Sequence, residues 1–358
     1  MFIKFLISFE NFNRHSKRMP MILLILIVGL PLLLWGAGAL WFRLPWPDAR
    51  LPALALWLAW MMATVVWAWR QQRPAALGLI WLCSLSLMLV WWLQIRPRDD
   101  RVWADDVALH AQVLAPAGGG QGVVVRNVRN FQWRSDSDYD IRWEQRHYDL
   151  SQLSRVDVAL SYWMGPAIAH TLVSFGFADG RHLVFSIEIR KERGEQFDAL
   201  AGFFKQYEMT LVAADERDIL AVRTNARGER VHLYQVRMPA QAMRELFMAY
   251  AGQADALIEQ PRYYHTLTAN CTTIVWQLAR SIGARLPLDW RMLASGFLPG
   301  YLHDSGVLAP GRDVKQLERE GEITQRAKAW APPAGGSDQD ASVDFSQAIR
   351  RGMPTLMP

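Results

Sequence analysis

Three uninterrupted apolar runs fill most of the first hundred positions, and beyond them the hydrophobic pattern breaks into short stretches. MILLILIVGLPLLLWGAGALWF (21–42), LPALALWLAWMMATVVWAW (51–69) and AALGLIWLCSLSLMLVWWLQI (75–95) contain no charged residue. Each can cross a hydrocarbon core of about 30 Å at about 1.5 Å per residue. Trp41, Trp67, Trp69, Trp91 and Trp92 stand near the ends, as interfacial belts require. A cleavable signal peptide competes for the first run. Its apolar stretch is longer than an h-region, no small-residue cleavage site follows cleanly, and two further spans come after it. The reading is a retained membrane anchor of three transmembrane helices within residues 1–100.

Beyond residue 100, GVVVRNVRNFQW (122–133) alternates well enough for a strand. DIRWEQRHYDL (140–150) predicts another, followed by a loop or short helix. HTLVSFGF (170–177) and RHLVFSIEIR (181–190) flank Asp179-Gly180, a strong hairpin signal. GEQFDALAGFFKQYE (194–208) has helical spacing, while MTLVAADERDILAVRTN (209–225) and ERVHLYQVRM (229–238) read as strands. Pro239 opens a long helix with Met243, Leu246, Phe247, Tyr250, Ala254, Leu257 and Ile258 on one stripe, and Pro261 ends it. A further helix over 271–282 buries Ile274, Val275, Leu278 and Ile282 and closes at Gly283. The Pro/Gly-rich run 331–342 reads as flexible. The whole is an α+β domain with a mostly antiparallel sheet, over about residues 101–353.

Charge adds orientation. Lys4, Arg14, Lys17 and Arg18 precede the first span and Arg70 and Arg73 occupy the second loop, six in all. Five stand on the other side: Arg43, Arg50, Arg96, Arg98 and Arg101. The excess is small, but the first span usually dominates and puts the N-terminus in the cytoplasm. Three spans then carry everything after residue 100 across. In a Gram-negative bacterium this is an inner-membrane protein with a periplasmic domain. The net charge is +5 and the pI near 9.3. Much of that excess lies beside the membrane, where the anionic lipid of the bilayer is the natural partner. No basic run of the nuclear or RNA-binding kind occurs, which argues against nucleic acid.

The chain has two cysteines. Cys83 lies inside the third span, where a thiol behaves as a small hydrophobe. Cys271 is left without a disulfide partner in an oxidising compartment and invites a reactive role. Asn270 is a good N-cap, which makes Cys271 the first helical residue. There the helix dipole and unpaired N–H groups favour a thiolate. The N–H groups of residues 271 and 272 could hold an oxyanion. A nucleophilic thiol also needs a base. Among the eight histidines, His170 is chosen because it starts a strand after a small-residue stretch, a papain-like pairing. His265 is nearer in sequence but lies in a loop and lines the pocket instead. The bland alternatives remain a structural buried cysteine and a satisfied strand histidine. No HExxH, CxxC, GxSxG elbow or phosphate loop appears, so neither a metal nor another cofactor is expected.

Seven blocks carry a family resemblance: NVRNF (127–131), SYWMGPAIAHT (161–171), SIEIRKERGE (186–195), ADERD (214–218), TANCTT (268–273), LDWRMLASGF (288–297) and DFSQAIR (344–350). Over about residues 104–353 the chain resembles the Lnb N-terminal periplasmic domain family, named after the bacterial lipoprotein intramolecular transacylase. The resemblance implies a cysteine–histidine site, carried here by Cys271 and His170. The order, strand histidine before helix cysteine, also resembles permuted NlpC-type papain-like proteins, which include lecithin:retinol acyltransferase. Their third polar residue lies on a neighbouring strand, which implies Glu188 as the group orienting the imidazole. A two-residue turn at Asp179-Gly180 would pair Thr171 with Glu188 and turn Glu188 away from His170; a bulge or longer loop would bring it round. Lnb carries its additional membrane helices after the domain, whereas this chain has three before it.

The expected function is a membrane-anchored thiol-dependent acyltransferase or hydrolase acting on lipid or lipoprotein acyl groups. Tyr264, His265, Asn270 and Thr272 are the expected substrate-binding residues beside the thiol. The rivals are a papain-like cell-wall peptidase or amidase and a non-catalytic envelope-binding module.

Overall fold

The computed structural model describes residues 2–115 and 120–356, with side chains from Leu23 onward. Lys4, Arg14, Lys17 and Arg18, on which the orientation argument leans, therefore lie outside the described side chains. The chain divides into two compact units, Met1–Pro97 with Phe203–Gln206, and Arg98–Gly202 with Tyr207–Pro358.

The first unit holds α1 (Phe2–Arg43), α2 (Pro47–Gln71) and α3 (Pro74–Gln94). Leu23–Arg43 and the whole of α2 and α3 are long and apolar enough to cross a membrane. Pro47 and Pro74 occupy first-turn positions, where a missing N–H costs nothing. Met61, Ala68, Leu77 and Trp81 form the contact between helices. The indole N–H of buried Trp81 donates to Thr64 Oγ1 at 2.9 Å. A Cβ at Gly29 would fall 2.2 Å from the Trp81 ring, so glycine is what lets the ring pass.

The second unit is a mixed α+β domain built on one eight-stranded sheet. Its strands are β1 (Gln112–Leu114), β2 (Gly122–Arg129), β5 (Trp143–Asp149), β6 (Leu153–Met164), β7 (Ile168–Phe177), β8 (His182–Arg190), β9 (Glu208–Ala214) and β10 (Arg230–Gln235). β3 (Gln132–Trp133) and β4 (Tyr139–Asp140) pair separately. The order is β1-β2-β9-β8-β7-β6-β10, with β5 on β2, and every pairing except β2–β9 is antiparallel. The helices are α4 (Glu216–Ala221), α5 (Ala240–Glu259), α6 (Cys271–Ser281), α7 (Leu298–Asp304), α8 (Val314–Gly321), α9 (Thr324–Ala329) and α10 (Asp338–Ile349).

The pleat sorts the central strands between two layers. Val173, Phe175, Phe185, Ile187 and Leu211 pack under α5 and α6. Leu172, Val184, Val212 and Ala214 face α4, α9 and α10. The helices α7 and α8 cover the β6–β10 edge. The second layer includes a buried ion cluster: Arg350 donates to Asp157 Oδ2 at 2.8 Å and to Glu216 Oε2 at 2.7 Å.

Four elements depart from the pattern reading. The stretch after 150 is a short 3-10 turn (Leu150–Gln152) and then the twelve-residue β6, whose middle is buried on both faces and so shows no alternation. Residues 194–208 form turns rather than a helix. Asp198 Oδ1 accepts from Leu200 N and Ala201 N, and Lys205 adopts φ 55°, so local side-chain bonds win over helical spacing. The strand at 209 stops at Ala214 because Asp215 accepts from Arg217 N and caps α4. A π-helical turn, Val222–Ala226, follows α4. Finally, α10 takes up residues 338–342 of the Pro/Gly-rich run, opened by a capping box between Ser337 and Asp340.

Candidate active site

The start of α6 is fixed by its own sequence. Asn270 Oδ1 accepts from Thr272 N at 3.0 Å and Thr273 N at 2.9 Å, and Asn270 N donates to Thr273 Oγ1 at 2.9 Å. This closed capping box makes Cys271 the first helical residue. At the far end Gly283, at φ 87°, donates to Arg280 O while Ala284 N reaches Ala279 O, the Schellman closure expected of a glycine there. Thr272 Oγ1 bonds Thr171 Oγ1 at 2.8 Å and ties the helix start to β7.

The β7–β8 hairpin carries the decisive register. Phe177 N donates to Arg181 O, so the loop is Ala178-Asp179-Gly180, three residues with Gly180 at φ 85°. The pairs run Gly176↔His182 through Leu172↔Ser186. Extended by two residues, this register places Glu188 across from His170 on one face, where the two-residue turn would have opposed them. Glu188 Oε1 lies 3.2 Å from His170 Nε2. Ser186 Oγ lies 2.8 Å from that nitrogen and donates to Glu188 Oε1 at 2.8 Å. Arg223, from the π-helical turn, donates to the same carboxylate oxygen at 2.7 Å.

The paired ladder ends at Leu172↔Ser186, although both strands continue. In the gap the Thr171 N–H points to Cys271 Sγ at 3.5 Å. The sulfur thus arrives from the α6 layer and comes within electrostatic reach of the imidazole of the other face. With Nε2 engaged by Ser186 and Glu188, Nδ1 is the ring nitrogen left for the thiol.

Electrostatics favour an ion pair. Burial pushes the His170 imidazole down, but Glu188 and then Cys271 raise it, to about 9. Burial pushes the Cys271 thiol up, but the charge of His170 and the Thr171 amide bring it to about 7. Burial also opposes charge on Glu188, and His170 and Arg223 hold it well below the usual carboxylate range. The imidazole is drawn up and the thiol drawn down, which favours thiolate with imidazolium over the neutral pair. Burial and the charges of Cys271 and Glu188 raise Tyr264 well above an ordinary phenol, so its O–H stays a donor beside the sulfur.

The four expected substrate-binding residues divide. Tyr264, Asn270 and Thr272 line a cavity of about 710 Å³ together with Cys271, His170, Glu188 and Arg223. His265 does not line it; its Nδ1 accepts from Leu267 N and Thr268 N at 3.3 Å and caps its own turn. Thr272 N is committed to the Asn270 cap, so of the two backbone donors expected for an oxyanion only Cys271 N–H lies outside the cap, facing the Tyr264 hydroxyl. The rest of the cavity mixes Lys191, Arg227 and Glu229 with Trp163, Met164 and Phe197. Thr272 and Met292 also line a second cavity of about 310 Å³. Among the described residues no cluster of His, Cys, Asp and Glu is fit to hold a metal ion.

Residues that sequence reasoning passed over brace this arrangement. Ser295 Oγ donates to Ala169 O at 2.6 Å and accepts from Ala169 N at 2.9 Å, fixing the strand just before His170. A Cβ at Gly296 would stand 2.0 Å from Pro166 O, a close approach that only glycine permits. Both lie in the block LDWRMLASGF, which was the available signal. Arg223 had none, since its segment alternates like a strand.

No curated protein and no solved structure matches the chain. Three helices long and apolar enough to cross a membrane, together with a match to a periplasmic-domain family, point to a membrane protein with a periplasmic domain. The segment holding His170, Glu188, Arg223 and Cys271, residues 139–296, matches the family described as Lnb N-terminal periplasmic domain, the family that the seven sequence blocks resemble.

Proposed function

We propose that this protein is a membrane-anchored, thiol-dependent acyltransferase or hydrolase acting on lipid or lipoprotein acyl groups. The observation that carries the reading is one imidazole held between a carboxylate and a thiol at a capped helix start. Cys271 is the nucleophile, His170 the acid–base and Glu188 the orienting group, in a papain-like arrangement. The thiolate attacks an ester carbonyl, and a sulfur–carbon bond forms while the carbonyl π pair moves to oxygen. Cys271 N–H and the Tyr264 hydroxyl are the donors for that oxyanion. Collapse breaks the carbon–oxygen bond, and the departing alkoxide takes the proton of imidazolium His170. The acyl-thioester then passes to an amine, such as a lipoprotein N-terminus, or to water, with His170 removing the acceptor's proton. Base assistance of this kind contributes about 10²–10⁴-fold. The domain works in the periplasm of a bacterial inner-membrane protein whose N-terminus is cytoplasmic. The charged part of the thiol cavity favours a second reading, a cell-wall peptidase or amidase with the same nucleophile.

The test uses the full chain with Cys83→Ala, so that Cys271 is the sole thiol. Iodoacetamide should alkylate it readily at neutral pH, and His170→Ala should slow the reaction about tenfold or more. Envelope lipoproteins and lipids from cells carrying Cys271→Ser should then show altered acylation by mass spectrometry. Unchanged acylation with altered muropeptides would give the site to the peptidase; an inert thiol would remove the nucleophile.

A further inference from the structure

We propose that the apolar cavity beside the thiol site holds the hydrocarbon tail of the acyl group on Cys271, and that its floor selects the length of that tail. The inference rests on the thiol reading and adds the kind of acyl group the site accepts. The cavity lies between α5, α6, α7 and strands β6 and β7, with a volume of about 310 Å³. That is at the lower end of small-molecule sites, about 300–1,000 Å³, and about twice the size of an engineered apolar void that stays dry and takes up benzene, about 150 Å³.

The lining excludes most ligands other than a hydrocarbon. Val158, Val173, Leu246, Val275, Trp276 and Leu302 are representative of its wall. The polar groups within reach are already committed. Thr272 Oγ1 bonds Thr171, the Trp276 indole donates to Leu286 O at 3.2 Å, and the Tyr301 hydroxyl donates to Pro287 O at 2.9 Å. Arg237 lines the cavity too but is an exposed residue, at its rim. A peptide or sugar would leave its own polar groups unpaired here, whereas methylene groups need no partner. Aliphatic burial is the one favourable interaction the wall offers.

Position ties the cavity to the chemistry. Thr272 directly follows Cys271, and Thr272 and Met292 line both this cavity and the thiol cavity. These two side chains are a wall common to both cavities, and one of them is a methionine, an unbranched side chain that adapts readily to its surroundings. In this proposal an acyl group with its carbonyl at Cys271 Sγ extends past Thr272 and Met292 into the apolar space. Space along the cavity depends on small residues of two facing helices, Ala242 on α5 and Ala279 on α6.

The experiment uses the full chain in lipid nanodiscs, carrying Cys83→Ala, with p-nitrophenyl butyrate and p-nitrophenyl dodecanoate as probes. Each ester acylates Cys271 as its carbonyl carbon–oxygen bond breaks and p-nitrophenol leaves, and intact mass identifies the thioester. The wild-type cavity should favour dodecanoate. Ala279→Leu, and independently Ala242→Leu from the opposite helix, should lower the dodecanoate-to-butyrate rate ratio by about tenfold, the effect of losing about two buried methylenes. Iodoacetamide alkylation and the thermal midpoint report whether each variant keeps its site. An unchanged ratio in both variants, with both folded, overturns the inference and leaves the thiol reading standing. If neither ester acylates wild-type Cys271 while iodoacetamide does, acyl transfer itself fails, and this inference falls with it.

Discussion

Glu188→Gln isolates the charge that makes the pair work. The substitution keeps the shape of the side chain and its oxygen near Ser186 but removes the carboxylate 3.2 Å from His170 Nε2. His170 stands at about 9 against an ordinary 6.5. At about 1.4 kcal/mol per pH unit, that is about 3 kcal/mol of added preference for the imidazolium. Glu188 is the foremost group raising it, against burial and against Arg223. Without Glu188 both opposing influences remain and the imidazolium is disfavoured. The thiol then loses the positive neighbour that brings it to about 7. The direct repulsion between Glu188 and the thiolate acts the other way, but it ranks last among the influences on the thiol. If only about half of the preference is transmitted, the alkylation midpoint moves up by about one unit. At pH 7 the thiolate fraction falls from about one half to about one tenth, and the iodoacetamide rate falls about fivefold. The two proteins converge at alkaline pH, where both thiols are ionised. The assay is the pH dependence of Cys271 alkylation in the Cys83→Ala background, read by intact mass. A midpoint that stays put, or moves down, refutes the claim that the carboxylate sustains the ion pair.

Two further outcomes test the frame around the site. Removing Asn270 by Asn270→Ala takes the acceptor from Thr272 N and Thr273 N and should cost about 1 kcal/mol, with Asn270→Asp restoring most of it in thermal melts. Among the described residues, Arg350→Ala leaves the buried Glu216 carboxylate with no cation bonded to it and Asp157 with Arg155 alone, and should destabilise the domain by about 3 kcal/mol at neutral pH. Burial raises both carboxyls, but Arg350 draws both below their ordinary values. Their contribution is therefore present above about pH 4 and lost as the pH falls further, so the gap between the thermal midpoints of wild type and variant should narrow in acid.

What the sequence determined by itself is what neighbours along the chain decide. The three apolar helices are legible because an uncharged run of that length is a local property, independent of what packs around it. The helix at Cys271, its Asn270 cap and its Gly283 closure are legible because each is settled within a few residues. The presence of a hairpin at Asp179-Gly180 belongs to the same class. Tertiary structure decided the rest. One extra loop residue fixed whether Glu188 faces His170, since a shift of one position exchanges the faces of a strand. Burial of β6 on both sides erased the alternation by which strands are recognised, and a side-chain cap at Asp215 turned a strand-like run into α4. Arg223 reaches Glu188 from 35 positions away. The capping that places the sulfur also withdraws Thr272 N–H from the chemistry. These outcomes depend on groups distant in sequence competing for the same hydrogen bonds and the same buried volume, and a linear pattern holds no record of that competition.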